Sequence, residues 1–206
     1  MIESYEELND THIDVLKEIG NIGAGNAATS LGVLLDEDVS ISVPDVRIEE
    51  LNDVVGSIGA PDEVCVAVLL NFMGEANGVI LFLMTIEDAK VITNAMVYED
   101  DDGMPGLSEM KLSGVKELGN ILASSYIGSV ASLTGMKISL SPPHIAIDMM
   151  GAILAVPVTE YGAADSRIMF ACESFATKER RLGSHVIMFT DVETLTDIMG
   201  RLGLDV

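Results

Sequence analysis

The sequence contains no tryptophan, only two cysteines, and no apolar run that approaches the roughly 20 residues of a membrane span. Cys65 and Cys172 lie inside apolar segments, where a thiol usually behaves as a small hydrophobic side chain, so no disulfide framework is indicated. The amino terminus carries Glu3, Glu6 and Glu7, where a secretory signal would be basic and then apolar. These absences predict a cytoplasmic protein without membrane insertion.

Basic residues are also scarce, because 11 Lys and Arg stand against 33 Asp and Glu, a net charge of −22. Binding to nucleic acid depends on Lys and Arg that neutralise phosphates, and the chain has one short basic cluster, at 178–181, so nucleic acid is a poor candidate partner. Hydrophobic residues make up 49% of the chain, too many for a disordered acidic segment. We expect a folded core under an anionic surface, which favours a monomer and suits a halophilic source.

The sequence repeats itself at an offset of 99 residues. Residues 17–48 align without a gap on 116–147, and 12 of these positions are identical. The similarity resumes at an offset near 107, where 78–82 aligns with 185–189, so the second half contains an insertion of about eight residues. Two similar halves predict a single pseudo-twofold domain that covers 1–206.

Each half has the same predicted order of elements: a long helix, a strand, a short helix, a hairpin of two strands and a last helix. The class is therefore mixed α/β (α+β-like), with a largely antiparallel sheet flanked by helices. The first half, approximately 10–98, has a helix that Asp10 or Thr11 caps and that ends near Leu35, strand 39–43, a short helix near 49–55, strands 64–72 and 79–84, and a helix capped by Thr85. The second half, approximately 107–203, has helix 107–133, strand 137–141, a short helix near 148–154, strands 167–175 and 185–190, and helix 191–202.

Each long helix carries a polar stripe. Asp14, Glu18 and Asn21 are spaced by four and three residues, which places them within roughly 60° of one another on the helix. The equivalent residues of the second helix are Ser113, Glu117 and Asn120. The apolar positions that we expect to be buried are Leu16, Ile19, Ile22 and Leu31 in the first helix and Val115, Leu118, Ile121 and Val130 in the second.

A Glu-x-x-Asn pair on one exposed helix is a weak signal, because most such pairs are only solvated surface. Duplication strengthens it, since exposed positions diverge fastest in a repeat and yet both polar residues are present in both copies. Asn is also a poor helix former, because its amide competes for backbone hydrogen bonds. Two asparagines in the middle of helices therefore indicate a function.

The whole pattern, with a proline 23 residues after each Asn at Pro44 and Pro143, resembles the signature of the CheC/CheX/FliY chemotaxis phosphatases. The segments 16–28 and 116–122 are similar to the CheC type in particular, which has two motifs where CheX-like proteins have one. The resemblance covers nearly the whole chain. It implies an enzyme that hydrolyses the aspartyl phosphate of a CheY-like response regulator.

The same resemblance implies residue roles. Asn21 and Asn120 would each orient a water molecule for in-line attack, and Glu18 and Glu117 would each pair with the active-site Lys of the regulator. The Mg²⁺ would be supplied by the regulator, so the chain would have no cofactor of its own. Phosphoryl transfer depends mainly on positioning and charge stabilisation, so an amide can suffice.

Other site patterns are weaker. The three histidines, His12, His144 and His185, are scattered and form no metal-ligand or Ser-His-Asp pattern. Residues 23–28 fit Gly-x-Gly-x-x-Ala, but that dinucleotide fingerprint must follow a strand, and here a helical pattern precedes it.

A second role follows from the resemblance, because CheC-like proteins are paired with the receptor deamidase CheD and some act chiefly through it. The segment 145–153, predicted to be a short apolar helix, is the candidate CheD surface, with Asp148 and Met149 as its contact residues. The chain would then be a weakly catalytic adaptor, and the sequence leaves this alternative open.

Overall fold

The computed structural model describes residues 4–42, 44–50, 53–96, 107–161, 167–177 and 181–204. A short 3₁₀ turn, Tyr5–Glu7, precedes the helices and strands. The α-helices are α1 (Asp10–Leu35), α2 (Val54–Ile58), α3 (Ile86–Met96), α4 (Glu109–Thr134), α5 (Met150–Tyr161) and α6 (Val192–Arg201). The strands are β1 (Val39–Ile41), β2 (Asp45–Glu50), β3 (Val64–Gly74), β4 (Gly78–Thr85), β5 (Ile138–Leu140), β6 (His144–Met149), β7 (Arg167–Thr177) and β8 (Arg181–Thr190).

The predicted class, long helices and hairpins are confirmed, but each half contains one more strand than expected. β2 occupies the start of the segment predicted as the first short helix, and α2 begins only at Val54. Likewise β6 extends to Met149, so Asp148 and Met149 lie in a strand and not in the predicted helix, which begins at Met150. Short apolar runs do not distinguish a strand from a helix by periodicity alone. In β2 the strand signal is the alternation of apolar Val46 and Ile48 with charged Arg47 and Glu49.

The cap of α1 also differs from the prediction. Asn9, and not Asp10 or Thr11, is the N-cap: its side-chain oxygen accepts from the backbone N–H of His12 at 3.1 Å, and His12 Nδ1 accepts from the backbone N–H of Asn9 at 3.2 Å. This is the reciprocal arrangement of a capping box with His in the place of the usual Glu or Gln. The prediction that Thr85 caps α3 is confirmed, since its hydroxyl accepts from the N–H of Asp88 at 3.0 Å.

The eight strands form one sheet in the order β1-β7-β8-β4-β3-β5, with β2 also paired to β7 and β6 to β3. All pairs between the described strands are antiparallel. β4 and β8, the equivalent strands of the two halves, meet at the centre, where Leu81 lies opposite Ile187. Because β1 and β2 pair with β7, and β5 and β6 pair with β3, each half completes the sheet of the other.

Alternate residues of the central strands face two layers of helices. Val66, Val68 and Phe82 pack against α1, α3 and α4, which lie on one face of the sheet. Ala67 and Leu81 pack against α2 and α5 on the other face. The long helices α1 and α4 therefore lie side by side on the same face. No helix in the described ranges is long and apolar enough to cross a membrane.

Candidate functional site

The two helices that carry the Glu-x-x-Asn motifs pack against each other, and small residues allow the contact. A Cβ at Gly23 would lie 2.7 Å from Cδ1 of Tyr126, so only glycine fits this approach of α1 to α4. One turn later, the side-chain amide of Asn26 donates to the hydroxyl of Ser129 at 3.0 Å. Residues 23–28 thus lie inside a helix at a helix contact, which rejects the nucleotide-binding alternative.

The motif residues lie on the outer side of these helices. Glu18, Asn21 and Glu117 are exposed and Asn120 is half-buried, and Asp14 and Ser113, one turn earlier, are exposed. Across the described part of the chain, no hydrogen bond or ion pair occupies the side chains of either Glu or either Asn. Each carboxylate and each amide therefore keeps its full hydrogen-bonding capacity for a partner.

The motif prolines lie in connections of the sheet and not on the motif helices. Pro44 is buried in the break between β1 and β2. The residue two positions before it, Ser42, accepts from the backbone N–H of Ser174 at 3.0 Å and donates its own N–H to the carbonyl of Ser174 at 2.9 Å. Before Pro143, Ser141 makes the same pair of bonds with Asn71, at 3.0 and 2.8 Å. These repeated serines fix the two sheet edges.

A groove of about 290 Å³ runs along the outer side of the contact between the motif helices, and it is lined by hydroxyl and amide groups and by two exposed apolar side chains. Ile22, which follows the motif Asn of α1, was predicted to be buried but is 37% exposed, and Leu133 is 42% exposed. The sequence does not separate Ile22 from Ile121, which is half-buried, because both follow the same motif in the same pattern. Leu16 is likewise only half-buried, and the other predicted apolar positions are buried.

The support beneath the two helices is unequal. Under α4, a Cβ at Gly119, which lies between Glu117 and Asn120, would be 2.6 Å from a methyl group of Val68, so α4 packs directly on β3. At the equivalent position of α1, Gly20 lines a cavity of about 40 Å³ with an almost entirely apolar wall, to which α4 also contributes Tyr126 and Val130. At roughly 24 cal/mol per Å³ such a cavity costs about 1 kcal/mol, and directly beneath the motif the contact at Gly119 is closer than that at Gly20.

The histidines occupy three unrelated places. His12 is buried in the cap of α1, and His144 is exposed at the start of β6. His185, in β8, lies on the far face of the sheet with Nδ1 3.5 Å from Sγ of Cys172. Among the described residues, no three His, Cys, Asp or Glu side chains converge as a metal-ligand set.

Comparison with known proteins identifies the repeated segment. The model of the CheC-like family matches residues 12–48 and 110–147, which are the two motif helices and the strands that follow them. CheY-P phosphatase CheC of Bacillus subtilis (strain 168) is 27% identical over 203 residues, 97% of each chain. The flagellar motor switch phosphatase FliY of the same organism is 31% identical over 147 residues, 71% of this chain and 38% of that protein.

The fold agrees with this comparison. The crystal structure of FliY from Thermotoga maritima superposes with a TM-score of 0.74 at 23% identity, over 96% of this chain and 98% of that one. The family model accounts for both motif helices, and the CheC relative aligns from end to end. The chain belongs to the CheC-like family.

Proposed function

We propose that this chain is a chemotaxis phosphatase that hydrolyses the aspartyl phosphate of a CheY-like response regulator. The observation that carries the proposal is the state of the motif residues: both helices present a Glu and an Asn that are accessible and that no other described side chain engages. The names of the two relatives, a CheY-P phosphatase and a motor switch phosphatase, support the same reaction class.

In the proposed reaction, water attacks the phosphorus, the bond from phosphorus to the aspartyl oxygen breaks, and inorganic phosphate leaves the regenerated carboxylate. The amide of Asn21 or Asn120 orients the water. Glu18 or Glu117, three residues earlier on the same helix face, pairs with the active-site Lys of the regulator and fixes the docking. The regulator supplies Mg²⁺, so the contribution of this chain is positioning, which is the main requirement of phosphoryl transfer.

Each helix holds a complete pair, so the proposal predicts two sites that work separately. Asp14 and Ser113 lie one turn before the Glu residues and would extend the docking surface. Pro44 and Pro143 would act indirectly, by shaping the strand connections under the helices. The exposed Ile22 at the groove rim offers an apolar contact next to Asn21, which suits a protein partner better than a small molecule.

The deciding experiment measures the decay of a radiolabelled CheY-like phosphoprotein in high salt with wild type, Asn21→Ala, Asn120→Ala and the double variant. Each single variant should lose part of the activity, and the double variant should leave only the intrinsic decay of the regulator. Asn94→Ala is the matched control, because Asn94 is an exposed helical asparagine on α3 outside both motifs. Full activity of the double variant would reject the proposed role of the asparagines.

A second function, an adaptor that binds the deamidase CheD, is favoured by the surface of β6. Ile147 and Met149 are 47% and 48% exposed on this outer strand, and Val64, the register partner of Met149, is 52% exposed. Asp148 lies between the two apolar residues. A strand with free backbone groups and apolar side chains can pair with a partner at the sheet edge.

This second proposal predicts that Asp148→Lys weakens the CheD complex and leaves dephosphorylation unchanged. Asp197→Lys, on the exposed side of α6, is the matched charge reversal away from β6. Titration calorimetry of both variants with CheD measures the effect. Equal CheD affinity of wild type and Asp148→Lys would remove β6 as the docking surface.

A further inference from the structure

The sheet face opposite the motif helices contains a pocket of about 240 Å³ between β2, β7, β8 and α2. It contains nucleophilic and basic side chains that the proposed phosphatase reaction does not use. The residues that matter chemically are Arg47, Ser57, Cys172 and His185. The chemistry of the pocket is not repeated at the equivalent described positions: Cys172 pairs across strands with Asp45, whereas the equivalent pair on the other side of the sheet is Leu69 with His144.

Cys172 and His185 form a thiol–imidazole pair within this pocket. Sγ of Cys172 lies 3.5 Å from Nδ1 of His185, within the distance of a hydrogen bond to sulfur. Burial lowers the pKa of His185, against the smaller opposing effect of Glu63, so the imidazole is neutral at neutral pH, and Nδ1 accepts the thiol proton in the tautomer that carries its hydrogen on Nε2. The pair is partly accessible, because both residues are only partly buried.

A cation lies beside the pair. Arg47 is held by Asp45 at 2.6 Å, by Glu49 at 3.6 Å and by the carbonyl of Ser57 at 3.3 Å. The pKa of Arg47 is raised chiefly by its hydrogen bond to Asp45, and to a smaller extent by the charge of Cys172 when ionised. Asp45 and Glu49 offset the charge of this guanidinium, and Asp45 is the cross-strand partner of Cys172, so the imidazole of His185 is the group that takes the thiol proton.

The other cysteine provides an internal contrast. Cys65 is 1% exposed, and burial raises the pKa of its thiol to about 11. A thiol with that pKa is almost wholly protonated at neutral pH, and reagents do not reach it. The same chain thus holds one inert cysteine and one with an accessible proton acceptor.

We propose that Cys172 is a site of reversible modification by low-molecular-weight disulfides. The thiol proton passes to Nδ1 of His185, and the thiolate attacks one sulfur of the disulfide. That S–S bond breaks, a new S–S bond forms on Cys172, and the second half of the reagent leaves as a thiolate that takes up a proton from the medium. The added group occupies the pocket beside Arg47 and Ser57, across the sheet from Asn21 and Asn120, so it does not cover the motifs.

The test treats the full chain at neutral pH with dipyridyl disulfide, a neutral reagent whose exchange releases one absorbing thiopyridone for each thiol. We expect one thiol to react under native conditions, identified as Cys172 by peptide mapping, at a rate at least about a hundredfold above that of Cys65. Cys65→Ser should keep the fast reaction and Cys172→Ser should remove it. Replacement of His185 by Gln, which takes up no proton, should slow the reaction roughly three- to tenfold.

Two results would overturn the proposal. One is a Cys172 that reacts no faster in native Cys65→Ser protein than in the same protein unfolded in urea, a comparison that requires no substitution in the pocket. The other is a wild-type rate in a His185→Gln protein whose circular dichroism shows an intact fold. Neither result bears on the phosphatase proposal, because the pocket and the motifs lie on opposite faces of the sheet.

Discussion

Replacement of both motif asparagines by alanine should raise the stability of the protein while it removes the proposed activity. The structure fixes the sign of the stability change. Neither Asn21 nor Asn120 makes a hydrogen bond with another described residue, and both lie in the interior of long helices. Truncation therefore leaves no buried polar group without a partner, and the remaining effect is helix propensity.

The size of the change follows from that propensity. Alanine is favoured over asparagine by about 0.5 kcal/mol at an interior helix position, so two substitutions should add about 1 kcal/mol to the free energy of unfolding. The sites lie on different helices and share no contact partner, which makes additivity a fair expectation. For a chain of this length, 1 kcal/mol raises the melting temperature by about 2–4 °C.

Thermal melts and urea titrations of the four proteins, together with the phosphoprotein decay assay, measure both quantities. Asn94→Ala should gain about half as much, roughly 0.5 kcal/mol, with unchanged activity, because Asn94 is a single exposed helical asparagine outside the motifs. A double variant that melts below wild type would refute the reasoning, since it would mean that the asparagines hold the fold. In that case a loss of activity could no longer be assigned to catalysis.

Three further predictions concern the helix pair and the charge. Gly23→Ala should lower the free energy of unfolding by about 1–3 kcal/mol, because the new Cβ would lie 2.7 Å from Tyr126. Gly25→Ala, whose Cβ would have nothing within 4 Å, should raise it by up to about 1 kcal/mol. Urea titration of the two variants measures both changes. In the decay assay Asn120→Ala should lower the rate more than Asn21→Ala, because Gly119 next to Asn120 packs on Val68 whereas Gly20 next to Asn21 lines a cavity, and equal losses would contradict this. The net charge of −22 predicts a melting temperature that rises with NaCl, most steeply below about 0.1 M.

The sequence predicted most of the fold because long periodic helices and apolar hairpins are local signals. It missed β2 and β6, which have six residues each and whose partners, β7 and β3, belong to the opposite half of the chain. It also missed the cap by Asn9, because His is an unusual third residue of a capping box. The positions of Asp148 and Met149 were therefore assigned to the wrong element, although their exposure agrees with a surface role.

The candidate site was predictable to the extent that it depends on one helix. Spacing within a helix places Glu18 beside Asn21 whatever the rest of the fold does. The exposure of Ile22 depends on the groove with α4, and the cavity under α1 depends on packing against several strands, so neither has a local signal. The pair of Cys172 and His185 likewise exists only because β7 and β8 are neighbours.

Some of the identities between the two halves are explained by contacts within the fold, and others are not. Ser42 and Ser141 are repeated because each makes two hydrogen bonds at a sheet edge. Gly119 is explained by its contact with Val68. No contact of the described chain accounts for Glu18, Asn21, Glu117 and Asn120, and asparagine is a cost to each helix. Residues that the fold does not need, two of which lower its stability, indicate use by something outside the chain, and the response regulator of the proposed reaction is a partner whose chemistry an exposed carboxylate and amide would serve.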